Sequence, residues 1–393
     1  YLSSELFAGF SISEECLISI VIPVRDEAES LEKSLQAFAK QIDGHGRRIN
    51  FESFEILIFA NNCTDDSAEI VRKFQRENSL LQIYLAEIHL SEENANIGFV
   101  RRLLMDGAFE RLRKNKFGGG IIMTTDGDTT VADDWIATNL REIKAGADAV
   151  GGRILITDSE LEKMDALCRE IYLKDEEYRL LMAEFEALID KLPFDDVPRH
   201  HQHFNGSFAV TTEIYDKAAG IPDVKFLEDC AFFDRLQRID ARVRHSPQVK
   251  VHTSSRHVGR SEVGLAFQLN EWKTLTEGGA DFLVESAESI VERLTAQRDL
   301  RKIWRKFSSR EIANLNVIEH IAARILVAPE FILRELEKRQ TFGAFYDDLM
   351  REQHRIGEWA RKLPMVALDY ALNTLKKEMQ IRRGQRFSQT SRR

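Results

Sequence analysis

Apolar runs alternate with amphipathic stretches along the first part of this chain, and that rhythm restricts the fold more than any other feature. Residues 16–23 (CLISIVIP) and 54–60 (FEILIFA) are nearly continuous apolar runs closed by proline or by polar residues, the pattern of strands buried on both faces. Residues 80–86, 121–123 and 147–156 supply further strands. Helical periodicities lie between them: Leu31, Leu35, Phe38 and Ala39 form the inward stripe of the first, and residues 133–145 carry another. Such alternation predicts an α/β fold with a doubly wound, mostly parallel sheet, in which ligands bind at the carboxyl ends of the strands.

Residues 118–134 (GGGIIMTTDGDTTVADD) put two carboxylates, Asp126 and Asp128, at that edge on either side of one glycine. Hard oxygen ligands so spaced can take Mg²⁺ or Mn²⁺, which in turn can neutralise a diphosphate. Taken alone the pair is a weak signal, because aspartates after strands are often solvated turn or capping residues. Other polar groups gather at the same edge. Arg25, Asp26 and Glu27 follow the first strand, where Asp26 with Glu29 fits a capping box and reads as helix initiation. After the second strand come Asn61, Asn62, Cys63, Thr64, Asp65 and Asp66; capping accounts for Thr64 or Asp65 but not for the two asparagines. Arg101 and Arg102 follow a turn at Asn96 and Gly98. Arginines on a helix face are usually solvated, yet one near a helix start can reach a phosphate.

The rhythm breaks at Asp158. Residues 161–192 read as one or two charged amphipathic helices, an insertion spanning about 158–200 with the pattern of a packing hairpin. Three histidines follow in PRHHQHF (198–204), without the spacing of a structural zinc site. FNGSFAVT (204–211) returns as a strand with a break at Gly206 and Ser207. Glu228 and Asp229 then begin a helix, where the macrodipole alone would favour them. A short strand leads to His252, Arg256, His257 and Arg260. Beyond Ser261 the pattern is helical, with Trp272, Trp304, Ile318, Ile321, Ile325, Phe331 and Ile332 as core candidates, and residues 382–393, rich in Arg, Ser and Gln, read as a disordered basic tail.

A chain of 393 residues with 43% hydrophobic content has room for one large domain and an appendage. A net charge of −9 argues against a general nucleic-acid or membrane-surface binder. Cys16, Cys63, Cys168 and Cys230 form no paired motif and read as free thiols; with no apolar run long enough for a membrane span and no signal-like start, a cytoplasmic location is expected.

In order and spacing, IVIPVRDE at the first strand, NNCTDDS after the second, the Asn-x-Gly turn leading to Arg101, TDGDT after the fourth, and LEDCAFFDRL resemble the family-2 glycosyltransferases of GT-A, Rossmann-like fold, over residues 17–260. The resemblance implies a nucleotide-sugar transferase domain over 1–260, with a helical extension over 261–393 outside it. It implies that Pro23, Val24 and Arg25, with Glu27 beside them, hold the nucleotide, and that Asn61 stands where the family often has an aspartate contacting the base. Arg101 and Asp126 would lie at the donor. Asp128 would hold a divalent Mn or Mg ion, with Asp126 and His252 as further candidate ligands. Glu228 and Asp229 match the family's Glu-Asp pair, in which the aspartate is the general base on the acceptor hydroxyl. Attack opposite the leaving group inverts the anomer; a retaining enzyme with His252 or His257 as third metal ligand is the alternative. The implied partners are a nucleotide-diphospho-sugar donor and an unidentified acceptor, with no nucleic acid and no transmembrane segment. Peripheral membrane contact and a homo-oligomer through the C-terminal helices stay open. Nucleotidyl transfer is disfavoured because VIPVRDEAES has no glycine, and a non-catalytic scaffold because Asp126, Asp128 and Asp229 occur together.

Overall fold

The computed structural model describes residues 5–253, 265–278, 280–309 and 315–390. Its eight-stranded sheet has the order β3-β2-β1-β4-β7-β6-β8-β5, built from β1 (Ile18–Val24), β2 (Phe54–Asn61), β3 (Ile83–Ile88), β4 (Ile121–Thr125), β5 (Thr130–Val131), β6 (Ala149–Ile156), β7 (Ser207–Thr211) and β8 (Val243–Thr253). β1 pairs in parallel with β2 and β4, β2 with β3, and β6 with β8. β7 runs antiparallel between β4 and β6, and β5 antiparallel to β8. The expected α/β architecture is therefore present, with mostly parallel strands.

Every residue of β1 and β2 is buried, as continuous apolar runs require when helices cover both faces. Leu31, Leu35 and Phe38 of the helix Leu31–Ala39 join Ile20, Ile22, Ile56, Ile58 and Trp135 in one core. β3 begins at Ile83 rather than near 80. Leu81 N–H donates to the Asn78 carbonyl in a turn, and Leu80 is 76% exposed, so both belong to the approach to the strand.

The chain divides into two compact units, one of Tyr1–Met164, Gln202–Leu236 and Ala241–Gln268, the other of Asp165–His201, Gln237–Asp240 and Leu269–Arg393. The helical stretch expected as an insertion in the first domain thus groups mainly with the second. Its helix Ala166–Ile189 buries Tyr178, Phe185 and Ile189 with Val284, Ile290, Leu294 and Leu375. Elsewhere in that unit Ile318, Ile321, Ile325 and Ile332 are buried as expected, with Trp304 and Phe331 packed against them. The last helix, Leu368–Thr390, covers residues 382–390, where a disordered tail was expected. No described helix is long and apolar enough to cross a membrane.

In the first unit, the pairing of β6 with β7 covers only Ala149 to Gly151. Beyond it the Gln202 side chain stands in for a neighbouring strand: Oε1 accepts from Ile154 N–H at 2.7 Å and Nε2 donates to the Ile154 carbonyl at 3.2 Å. Gln202→Leu leaves both backbone groups without these partners and is expected to cost about 1–3 kcal/mol in denaturant unfolding. An unchanged midpoint would show that water replaces the amide.

Candidate active site

The carboxyl ends of β1, β2 and β4 deliver Arg25 to Glu27, Asn62 to Asp66, and Asp126 to Thr129 to one edge of the sheet. Because β7 runs the opposite way, its amino end arrives at the same edge, with Thr125 opposite Ser207. Gly206 therefore meets the acidic turn, and Asn205 precedes it.

At the centre is Arg101, on the helix Ile97–Arg113, with a side chain only 3% exposed. Its Nη1 donates to Thr124 Oγ1 at 2.6 Å and to the Thr125 carbonyl at 3.3 Å, and its Nη2 to Asp126 Oδ1 at 2.6 Å. Its Nε lies 3.6 Å from Glu228 Oε1, on a side chain 5% exposed. One buried cation thus serves two carboxylates from distant parts of the chain. Burial opposes its charge, but Asp126, Glu228 and Asp229 outweigh that and raise its pKa. Desolvation raises the Asp126 pKa against the pull of Arg101, with help from Asp128 and Asp229. Glu228 is raised likewise, by desolvation first and then by Asp229, while Arg101 lowers it. Arg102, by contrast, pairs with the exposed Asp223 at 3.0 Å. The expectation of solvated arginines holds for Arg102 and fails for Arg101.

The remaining sequence candidates occupy the surrounding loops. Pro23 and Val24 end β1 and are buried, and Asn61 is buried at the end of β2. Arg25 is exposed and donates to the Ala95 carbonyl at 3.1 Å. Glu27 is buried, and a Cβ on Gly127 would lie 3.2 Å from its Cγ and 3.3 Å from Val24 Cγ2, so the first loop packs on the Asp126-Gly127-Asp128 turn. Asp128 is half-buried, with Thr129 Oγ1 donating to its Oδ1 at 3.4 Å. Asp229 is half-buried in the first turn of the helix Glu228–Arg238, where its Oδ1 accepts from Cys230 N–H at 2.8 Å. His252 is exposed on β8, opposite Thr130.

Among the described residues, the ligand atoms that gather within 4.8 Å of one another are those of Asp26, Cys63 and Asp65, a set that does not include Asp126, Asp128 or His252. Hydrogen bonds explain the Asp26 set. Asp26 Oδ1 accepts from Thr64 N–H at 2.6 Å, and Asp65 Oδ2 accepts from Ala28 N–H at 2.9 Å. This corrects the capping-box expectation: the helix begins at Leu31 with Ser30 at its N-cap, while Asp26 sits at φ 54° and binds the neighbouring loop. Nor does Thr64 or Asp65 cap the next helix, Ser67–Glu77: its N-cap is Asp66, with no side-chain cap, and Asp65 accepts from Ser67 N–H at 3.0 Å in a turn ahead of it. Asn62 is explained too, since its amide brackets Leu90, accepting from its N–H at 3.0 Å and donating to its carbonyl at 2.9 Å. The histidines of 198–204 join no metal group among the described residues; His203 stacks on Phe233 at 3.8 Å instead. Arg256, His257 and Arg260 lie outside the described residues.

Sequence reasoning missed Gly98, Asn205 and Gly206 as site residues, although the glycines interrupting a helix start and a strand start were visible signals. A Cβ on Gly98 would lie 1.8 Å from the Val224 carbonyl oxygen, and Gly98 N–H donates to the Lys225 carbonyl at 3.3 Å. That backbone contact seats the loop leading into Glu228 against the helix that carries Arg101. Gly98→Ala is expected to displace the loop at a cost of about 1–3 kcal/mol, read by denaturant unfolding; an alanine variant of equal stability would show the loop to be free of that seat.

Residues 19–186 match the profile of glycosyl transferase family 2. A curated protein, glycosyltransferase AglE of Haloferax volcanii, is 26% identical over 142 residues, or 36% of this chain and 40% of that protein's length. Among solved structures, the mannosyltransferase PcManGT from Pyrobaculum calidifontis in complex with GDP-Man and Mn²⁺ is 14% identical, covering 86% of this chain and 87% of that one with a TM-score of 0.42. TarS 1–349 of S. aureus in complex with UDP-GlcNAc is 13% identical, covering 86% and 92% with a TM-score of 0.42.

Proposed function

We propose, from the premise that this chain belongs to glycosyl transferase family 2 through residues 19–186, that it transfers a sugar from a nucleotide-diphospho-sugar to an acceptor hydroxyl. The observation that carries the reading is the buried Arg101 shared between Asp126 and Glu228 at the carboxyl edge of the sheet. Fold alone does not require that constellation.

Asp128 and Asp126 would hold a divalent Mn or Mg ion. The donor set suits such an ion: hard carboxylate oxygens, one of them already pinned by Arg101, on an aspartate whose pKa is raised by desolvation first and then by the neighbouring Asp128 and Asp229. When bound, the ion would supply charge neutralisation to a departing diphosphate. The loop of Pro23, Val24, Arg25 and Glu27, packed on Gly127, would hold the nucleotide with Asn61. Asp229, half-buried and in the electrostatic reach of Asp126, would take the proton from the acceptor hydroxyl as it attacks the anomeric carbon. Arg101 keeps the two acids apart in role: it fixes Asp126 on the donor side and stays within reach of Glu228 next to the base. Inversion, with Asp229 as the base, is the reading carried forward here, and retention with His252 or His257 as third metal ligand is its alternative.

Calorimetry with a panel of nucleoside diphosphates and their sugars, with and without Mn²⁺, tests the donor site. One nucleotide is expected to bind in a Mn²⁺-dependent way, and Asp128→Ala is expected to weaken that binding at least about tenfold by removing a charged ligand. Mn²⁺-independent binding, unchanged in the variant, would remove Asp128 from the metal.

A further inference from the structure

The amino end of β7 places two residues with no assigned role between the two acidic loops. We propose that Asn205 and Gly206 are positioning residues that hold Asp126 and Glu228 in their working orientations around Arg101; this rests on the donor-site reading above and deepens it.

Gly206 acts through the side chain it lacks. A Cβ there would lie 3.0 Å from Asp126 Oδ2 and 3.0 Å from Ile154 Cδ1, tighter than ordinary van der Waals contact on both sides. Asp126 therefore sits in a slot. Arg101 holds its Oδ1 at 2.6 Å, and its Oδ2 faces the bare Cα of Gly206. The Gly206 carbonyl accepts from Thr125 Oγ1 at 2.9 Å, while the Thr125 carbonyl accepts from Arg101 Nη1, so the slot wall is bonded to the residue that precedes Asp126. A methyl group at 206 has two ways to go: against Ile154, or against the carboxylate, which would turn away from its present direction.

Asn205 acts through its amide. It is 2% exposed, and its Nδ2 donates to Glu228 Oε1 at 3.4 Å, on the same oxygen that lies near Arg101 Nε. Its Oδ1 is buried with no hydrogen-bond partner. Buried amides that leave an acceptor unpaired are uncommon in folded proteins and call for a reason. Here the reason is the direction of the donor: turning the amide to satisfy Oδ1 would aim an oxygen at the Glu228 carboxylate. Adjacent residues on one strand end thus set one acid each, Gly206 that of the donor side and Asn205 that beside the proposed base.

The two roles separate in one experiment on the full chain. Mn²⁺ binding in the presence of GDP and of UDP is measured by calorimetry, donor breakdown by release of nucleoside diphosphate, and melting by circular dichroism. Gly206→Ala is expected to weaken Mn²⁺-nucleotide binding about tenfold or more, the scale on which misplaced groups lose effect, with the melting temperature kept. Adding Ile154→Val removes the Cδ1 on the far side and is expected to restore binding, since the methyl can then move off the carboxylate. Asn205→Ala is expected to leave binding and KM unchanged and to lower kcat about tenfold. Gly206→Ala binding as tightly as the unmodified protein would overturn the inference, as would a loss of binding that follows loss of the fold and is not rescued by Ile154→Val. No Mn²⁺-dependent nucleotide binding by the unmodified protein would overturn the donor-site reading itself, and this inference with it.

Discussion

Exchange of Asp229 for asparagine is expected to slow sugar transfer by about 10²–10⁴-fold while leaving nucleotide binding intact, the range removed with a positioned general base. The substitution keeps the shape and the oxygen that accepts from Cys230 N–H at the start of the helix Glu228–Arg238. It removes the capacity to take a proton. It also removes a negative charge that raises the pKa of both Asp126 and Glu228, so the fold should be no less stable than before. Turnover, measured as nucleoside diphosphate released from the donor that calorimetry identifies, and melting are read together. Equal turnover in the variant would take Asp229 out of proton transfer.

Arg101→Met should be the most damaging single change to the fold of this site. Methionine approximates the length of the side chain but leaves Asp126 and Glu228 facing each other without the cation. Breaking a buried ion pair from one side costs about 3–5 kcal/mol. The penalty depends on pH in a definite sense. Glu228 already has a raised pKa through desolvation, and without Arg101 it rises further, so the folded state holds that proton more tightly than the unfolded chain. The loss is therefore greatest above the folded-state pKa of Glu228 and shrinks as the pH falls through it. Denaturant unfolding at two pH values measures this, and adding Glu228→Gln to Arg101→Met should recover part of the loss at neutral pH, a non-additivity expected of groups in contact. A pH-independent loss would mean that packing, not charge, is what Arg101 supplies.

The sequence made the strands with continuous apolar runs legible, and with them the acidic pair at the end of β4, because burial on both faces writes itself into every position of a strand. Direction is not written that way. Nothing in FNGSFAVT distinguishes a parallel from an antiparallel strand, so the insertion of β7 between β4 and β6, and the arrival of Asn205 and Gly206 beside Asp126, could not be read. The residues alone left Arg101 and Arg102 equal, each solvated or within reach of a phosphate, and family resemblance singled out Arg101. Its burial depends on Glu228, far along the chain, and single-helix reasoning places arginine in water. Asp26 misled for a related reason: a local capping rule competed with a partner, Thr64, on another loop, and the partner won. Residues 165–201 followed their own apolar face into the helical unit, a choice set by residues such as Ile290 and Leu375 that periodicity alone does not connect to them.

The reciprocal bonds between the loops after β1 and β2 bear on how segments of this chain could be exchanged with those of related chains. Asp26 accepts from Thr64, Asp65 from Ala28, and Ser67 Oγ from Glu27 N–H, so each loop supplies what the other's backbone needs. A chimaera that transplants one of them alone would inherit half a clasp and unpaired amides. The two loops form one cassette, to be exchanged together or not at all.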